Sequence, residues 1–196
     1  MDCYSLPISV QIGEKDFAIR NKADYRVILD CFEALDDVEL EANIRVYTAM
    51  IIFYEALSDL VDIQRVFGEN ISEAVKQMYN FFNCGKESVG AKCSYKLIDW
   101  QEDSQMIASA INNVTKKEVR QESYIHWWTF MGYYCAVGES TLSTVVGIRW
   151  KIVNGKKLEK HEKEFKRQNP EYFTWNAKNA TQKQNDELLK SMWNQT

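Results

Sequence analysis

The stretch Ser123-Tyr-Ile-His-Trp-Trp-Thr-Phe-Met-Gly-Tyr-Tyr-Cys-Ala-Val-Gly138 decides the fold class of this chain. Tyr124, Trp127, Trp128, Met131, Tyr134 and Cys135 recur at three- and four-residue spacing, which predicts one helix over 123–138. Thr129, Gly132 and Ala136 form a second, small-residue strip that would admit another helix, and Gly138 reads as the residue ending this one. A helix apolar nearly all round is either the centre of a bundle or partly covered by another protein. Trp127 or Trp128 is therefore expected at the centre of the core.

Upstream, Ile8 to Ile19 alternates apolar and polar residues around Gly13-Glu-Lys-Asp, the pattern of a short hairpin over about 8–19. Asp24 is placed to cap a helix running to about Leu35 through Val27, Ile28, Cys31 and Phe32. Another helix is expected from Val38 or Glu39, its inward stripe being Leu40, Ile44, Tyr47, Ile51 and Tyr54, thickened by Met50, Phe53 and Leu57. A third opens at Asn70 or Ser72, runs through Phe81 and Phe82 and closes at Gly85, before a loop to Lys92.

Asp99 to Val114 carries Met106, Ile107, Ala110 and Ile111 at helical period. Beyond the aromatic stretch, Ser140 or Thr141 caps a helix through Ile148 and Trp150, broken near Asn154-Gly155. Lys156 to Gln168 is charged, with Glu159–Lys163 and Glu162–Lys166 at four-residue spacing, and Pro170 stops it. After Trp175 the composition turns to Asn, Gln, Lys and Thr. Only Leu188, Leu189, Met192 and Trp193 are apolar near the end, on one face of a short docking helix behind a linker at 176–184.

At 196 residues and 45% hydrophobic content the chain can build a real core. Its net charge of −4 argues against a general nucleic-acid binder. The longest apolar run, Ala49 to Tyr54, is too short to span a bilayer, and the amino terminus lacks a signal-peptide layout. The five cysteines, Cys3, Cys31, Cys84, Cys93 and Cys135, are odd in number and read as free thiols in a reducing cytoplasm. Charge is uneven: Asp24 to Glu41 holds seven acidic residues against one Arg, and Arg149 to Arg167 holds eight Lys or Arg against three Glu. Such patches predict charge-steered association with a partner or a second copy.

No catalytic constellation assembles. The two histidines, His126 and His161, have no acidic residue at metal-motif spacing, and His126 reads as a buried or edge histidine bonded to a neighbour. Cys84 and Cys93 lack the second pair of a zinc site, and the Glu33 to Glu41 cluster lacks a calcium loop's alternating ligands. Asp36 and Asp37 are expected to cap the helix that follows them. There is no phosphate-binding glycine loop and no nucleophile elbow. The expectation is a non-enzyme with neither cofactor nor metal.

Six stretches in order carry a resemblance: Phe17-Ala-Ile-Arg-Asn-Lys-Ala-Asp-Tyr-Arg-Val-Ile-Leu, Leu35-Asp-Asp, Phe81-Phe-Asn-Cys-Gly-Lys, Tyr95-x-x-Ile-Asp-Trp-Gln-Glu-Asp, Ile125-His-Trp-Trp-x-Phe and Gly147-Ile-Arg. Together, over about residues 8–173, they resemble the tail-assembly chaperones of long-tailed, siphovirus-type phages and prophages of Gram-positive bacteria. Ala23 departs from that family's pattern, which has a hydroxyl residue before the aspartate. The resemblance implies a non-catalytic chaperone that coats the tape-measure protein in the host cytoplasm, keeps it soluble while the tail tube assembles, and is absent from the mature virion. It also implies contact with the tail-tube protein and a second tail-assembly chaperone. A structural tail component and a phage DNA-binding regulator are the alternatives; the interleaved glutamates of the basic helix count against the second.

The expected architecture is mainly α, a single bundle of about six to eight helices with a short amino-terminal β-hairpin. Residues 1–175 would form the helical domain and 176–196 a polar tail. Partner binding is assigned to His126, Trp127, Trp128, Tyr133, Tyr134, Arg149, Leu188, Leu189, Met192 and Trp193, with no role for nucleic acid or membrane.

Overall fold

The computed structural model describes residues 4–86 and 96–174, together with Glu187. Within these the chain is mainly α-helical behind a two-stranded hairpin. It packs as two compact units, one of residues 4–86 and 123–131, the other of residues 96–122 and 132–174.

In the first unit β1 (Ser9–Ile12) pairs antiparallel with β2 (Lys15–Ala18), Val10 opposite Phe17. Gly13 turns the hairpin at φ +58°, the positive-φ position that a two-residue connection requires. Asp24 caps α1 (Tyr25–Asp36) by accepting from Arg26 N–H. The helix buries Val27, Ile28, Cys31 and Leu35 against Val46, Ala49, Met50 and Phe53 of α2 (Ala42–Phe53). Each Val, Ile, Leu, Met or Phe side chain so withdrawn from water contributes about 1.5–3 kcal/mol.

Helix α2 starts later than expected, and its inward face is shifted: Met50, Phe53, Tyr54 and Leu57 are buried as expected, but the rest of the stripe is not. Ile44, Tyr47 and Ile51 are only half-buried, while Val46 and Ala49 are sealed beside Met50 and Phe53. An almost uniformly apolar helix carries little directional signal, so its partners choose the face. Asp37 also departs from expectation: its carboxylate accepts from Glu39 N–H inside the preceding turn, and Glu41 stands at the N-cap of α2 without a side-chain bond.

The other end of α2 is closed from a distance. Arg20 donates to the carbonyls of Ile51, Ile52, Tyr54 and Leu57 at 2.7–3.1 Å, placing a cation where the helix dipole is negative and the last carbonyls lack partners.

Helix α3 (Leu60–Phe67) is unexpected, although its signals are present: Asp59 accepts from Asp62 N–H at the start, and Gly68 ends it at φ +53°. Helix α4 (Ile71–Phe82) follows, and Tyr54 Oη donates to Ala74 O at 2.6 Å. The loop residues 87–92 and the tail beyond 174 lie outside the described residues, Glu187 excepted.

The aromatic stretch is not one long helix. Helix α6 spans only Trp127–Cys135, while Asp24 and His126 form an isolated antiparallel bridge. Trp127 and Phe130 are buried, so the expected core tryptophan is Trp127. Gly138 is not among the positive-φ glycines, and in the small-residue strip Gly132 and Ala136 are exposed, with open space among the described residues where a Gly132 Cβ would stand.

The second unit is built from α5 (Ser104–Thr115), residues 132–135 of α6, α7 (Thr141–Val153) and α8 (Lys160–Gln168). Residues 99–103, expected as the first turn of α5, form a turn before it. Ser140 and Ser143 make a reciprocal capping box on α7, and Gly155, at φ +63°, follows its end. The predicted pairing along α8 is replaced by pairing to α7: Lys151 reaches Glu162 at 2.6 Å and Glu159 at 3.8 Å.

Candidate functional site

The polar residues that stand out in the sequence mostly hold each unit together. In the first unit Asp24 bonds three ways: to Arg26 N–H and the Arg26 guanidinium, and through Oδ2 to Ile125 N–H at 3.0 Å. Tyr25 N–H returns a bond to Ile125 O at 2.8 Å. His126 is 1% exposed. Its Nδ1 accepts from Trp128 N–H at 3.0 Å, which leaves Nε2 as the protonated nitrogen facing Pro7 O at 2.9 Å. Burial pulls its pKa below the ordinary 6.5, against the opposing effect of the Pro7 carbonyl. This is a histidine held neutral in a cap.

Trp127 and Trp128 use their indole N–H groups in parallel, each donating at 3.0 Å to the last carbonyls of α4, Phe82 O and Phe81 O. Gly85, at φ +70°, lies where a Cβ would meet the Trp128 ring at 3.2 Å. The Phe-Phe-x-x-Gly and His-Trp-Trp stretches therefore form a single structural bracket. Around it Phe32, Phe53, Phe82, Trp127 and Phe130 pack ring on ring, with Tyr25 stacked on Phe130 at 4.4 Å.

The second unit has its own bracket. Arg149, 1% exposed, is paired with Asp103, and its other bonds go to Leu97 O and Tyr172 O at 2.6–2.9 Å. Asp103 also accepts from Asp99 N–H, while Asp99 accepts from Gln101 and Glu102 N–H. A buried guanidinium with this many acceptors fixes the ends of α5 and α7 and the turn at Pro170–Phe173.

The second unit also carries an apolar groove of about 490 Å³. Leu142, Val146 and Trp150 follow each other at four-residue spacing along α7 and form its ridge, and Ser143 and Gly147 form a lower row beside it. Leu97, Tyr134, Cys135 and Val137 complete the lining. Trp150 is 46% exposed, an unusual position for a residue of that size unless something covers it. Tyr134 packs against Trp100 at 5.5 Å, and burial pushes its hydroxyl pKa up.

Of the residues assigned to partner binding, His126, Trp127 and Arg149 are buried with their polar atoms engaged inside their own unit. Trp128 and Tyr133 are half-buried, and Tyr134 alone lines the groove. Leu188, Leu189, Met192 and Trp193 lie outside the described residues. No function was expected of Leu142, Val146, Gly147 or Trp150, yet the four-residue spacing of Leu142, Val146 and Trp150 is legible in the sequence. Among the described residues Cys31 and Cys135 are free thiols, no His, Cys, Asp and Glu side chains cluster as a metal would need, and no helix is long and apolar enough to cross a membrane.

No curated protein and no solved structure matches the chain. A family model does. The bacteriophage Gp15 protein model aligns with residues 4–174, a span that takes in both brackets and the groove. Since that covers nearly the whole described fold, the chain belongs to the bacteriophage Gp15 protein family.

Proposed function

We propose that this phage protein is a tail-assembly chaperone, acting by binding and not by catalysis. In this reading several copies bind the tape-measure protein in the host cytoplasm and keep it soluble while tail-tube subunits polymerise around it. They then leave, so that the finished tail lacks them. The observation that supports it best is the groove on the second unit: a solvent-open apolar surface lined by α7, on a chain whose conspicuous polar residues are taken up in holding the fold. A long helical protein with apolar faces needs such a cover until its own partners arrive.

Co-expression tests the reading. The tape-measure protein encoded by the same phage is followed in the soluble fraction with and without this chain, and purified particles are examined by mass spectrometry. Increased solubility, a complex on gel filtration and absence of the chain from particles are expected. Unchanged solubility with no complex at low salt rejects chaperone action. Stoichiometric presence in particles points instead to a structural tail component.

A further inference from the structure

Helix α7 carries a glycine at a position where a helix ordinarily avoids one. Gly147 lies in the interior of Thr141–Val153, and among the described residues a Cβ built there meets nothing within 4 Å. Neither positive φ nor an internal close approach requires glycine at this point. Its effect is external: with Ser143 one turn earlier it keeps a row low beside the ridge of Leu142, Val146 and Trp150. A four-residue ridge beside a low row is the surface into which another helix packs.

Charge sets the direction of what fits. The low row continues from Ser143 and Gly147 to Lys151, which is engaged with Glu159 and Glu162. The chain then turns at Gly155, and Lys156 N–H bonds back to Lys151 O at 2.8 Å, holding Lys156 at the carboxy-terminal end of α7. Lys156 and Lys157 are both exposed there, a few residues past half-exposed Trp150.

We propose that the groove receives one amphipathic α-helix of a partner protein, laid along the Ser143–Gly147 row, its apolar face on Val146 and Trp150 and acidic residues at the end beside Lys156 and Lys157. Gly147 sets the fit by leaving room for a large apolar side chain of the incoming helix. The inference deepens the chaperone reading, from which it takes the tape-measure protein as the source of that helix. Recognition of such a helix is nevertheless a property of the groove itself.

Two probes separate the claims. The first is a pair of fluorescein-labelled amphipathic helical peptides with one apolar face, flanked by Glu in one and by Lys in the other. The Glu-flanked peptide should bind the full chain roughly tenfold more tightly than the Lys-flanked one. Gly147→Leu should abolish its binding while raising the thermal midpoint, since leucine is the better helix former and fills empty space. The double variant Lys156→Glu/Lys157→Glu should reverse the preference, and bound peptide should slow alkylation of Cys135, which lines the groove and is exposed.

The second probe is the co-expressed tape-measure protein, tested with wild type and Gly147→Leu. Peptide binding that is absent, indifferent to flanking charge or unchanged by Gly147→Leu overturns the groove proposal. If the tape-measure protein binds wild type and Gly147→Leu alike, the chaperone reading stands and the groove proposal falls. If the peptides bind as expected while the tape-measure protein does not bind wild type, the groove proposal stands and the chaperone reading falls.

Discussion

Lys22, at φ +53° and ψ 37°, stands between Asn21 at φ +50° and Ala23 at φ +62°, three successive non-glycine residues in the left-handed region. Each costs about 1–2 kcal/mol relative to the right-handed form, so the surroundings must hold the turn in place. They do so through Tyr124 Oη on Lys22 O at 2.8 Å, Asn21 O on Asp24 N–H, and the Arg20 bonds to the end of α2. Lys22 itself is exposed, which makes it the place to relieve strain without opening a cavity. Lys22→Gly should stabilise the chain by about 0.5–1 kcal/mol, read as a higher denaturant midpoint at unchanged slope. A lower midpoint would mean that the side chain supports the turn.

His126 makes a pH prediction at the same scale. Its folded pKa lies below the unfolded 6.5, so the unfolded chain takes up a proton that the folded one refuses. Its contribution to stability is intact above 6.5 and is lost as pH falls below that value, because protonated Nδ1 can no longer accept from Trp128 N–H. His126→Asn keeps an acceptor at the cap without a titrating ring. Its stability should therefore fall less than that of wild type on going from above to below 6.5, as measured by urea titration at each pH.

Among the elements, α4 depends on residues more than forty positions away for its last carbonyls. Trp127→Phe keeps a buried ring but leaves Phe82 O without its indole donor, and should cost about 1–3 kcal/mol. Gly85→Ala tests the same bracket from the other side, since the methyl meets both a positive φ and the Trp128 ring. A loss of about 1–2 kcal/mol is expected, with part of it recovered in a Trp128→Leu background; strict additivity would show that the ring contact is immaterial. The same element-scale logic explains the shifted face on α2. Met50 and Phe53 are buried as expected, but half-buried Ile44, Tyr47 and Ile51 are about as apolar as sealed Val46 and Ala49, and only packing against α1 separates them.

For the whole molecule, the two units each close on their own buried bracket, Asp24 with Ile125 and the tryptophans in one, Asp103 with Arg149 in the other. Arg149→Met strands the Asp103 carboxylate in a site that is only 2% exposed, and should cost about 3–5 kcal/mol. The damage should be local: hydrogen exchange is expected to quicken in α5 and α7 while α1 and α4 keep their protection. Equal loss of protection in all four helices would show that the units unfold as one. The segregated charge, acidic over Asp24 to Glu41 and basic over Arg149 to Arg167, bears on partners rather than on the fold, and its effect on association should weaken as salt rises.

The sequence by itself determined the helical class, the hairpin and the ends of α1, α4 and α7, because these rest on local chemistry: Gly13 at positive φ, Asp24 and Ser140 as caps, Gly155 as a stop. It also marked the stretches that matter, without saying how they meet. Only the tertiary structure paired Phe81-Phe-Asn-Cys-Gly with Trp127-Trp128 and Asp103 with Arg149, since each bond joins groups more than forty residues apart. It also cut the aromatic helix to Trp127–Cys135, where the backbone bridge between His126 and Asp24 outweighs a periodicity that large aromatics satisfy on any face. The groove belongs to the same category. A glycine within a helix reads as a small local penalty, and only the packing around α7 turns the space beside Gly147 into a surface with a shape.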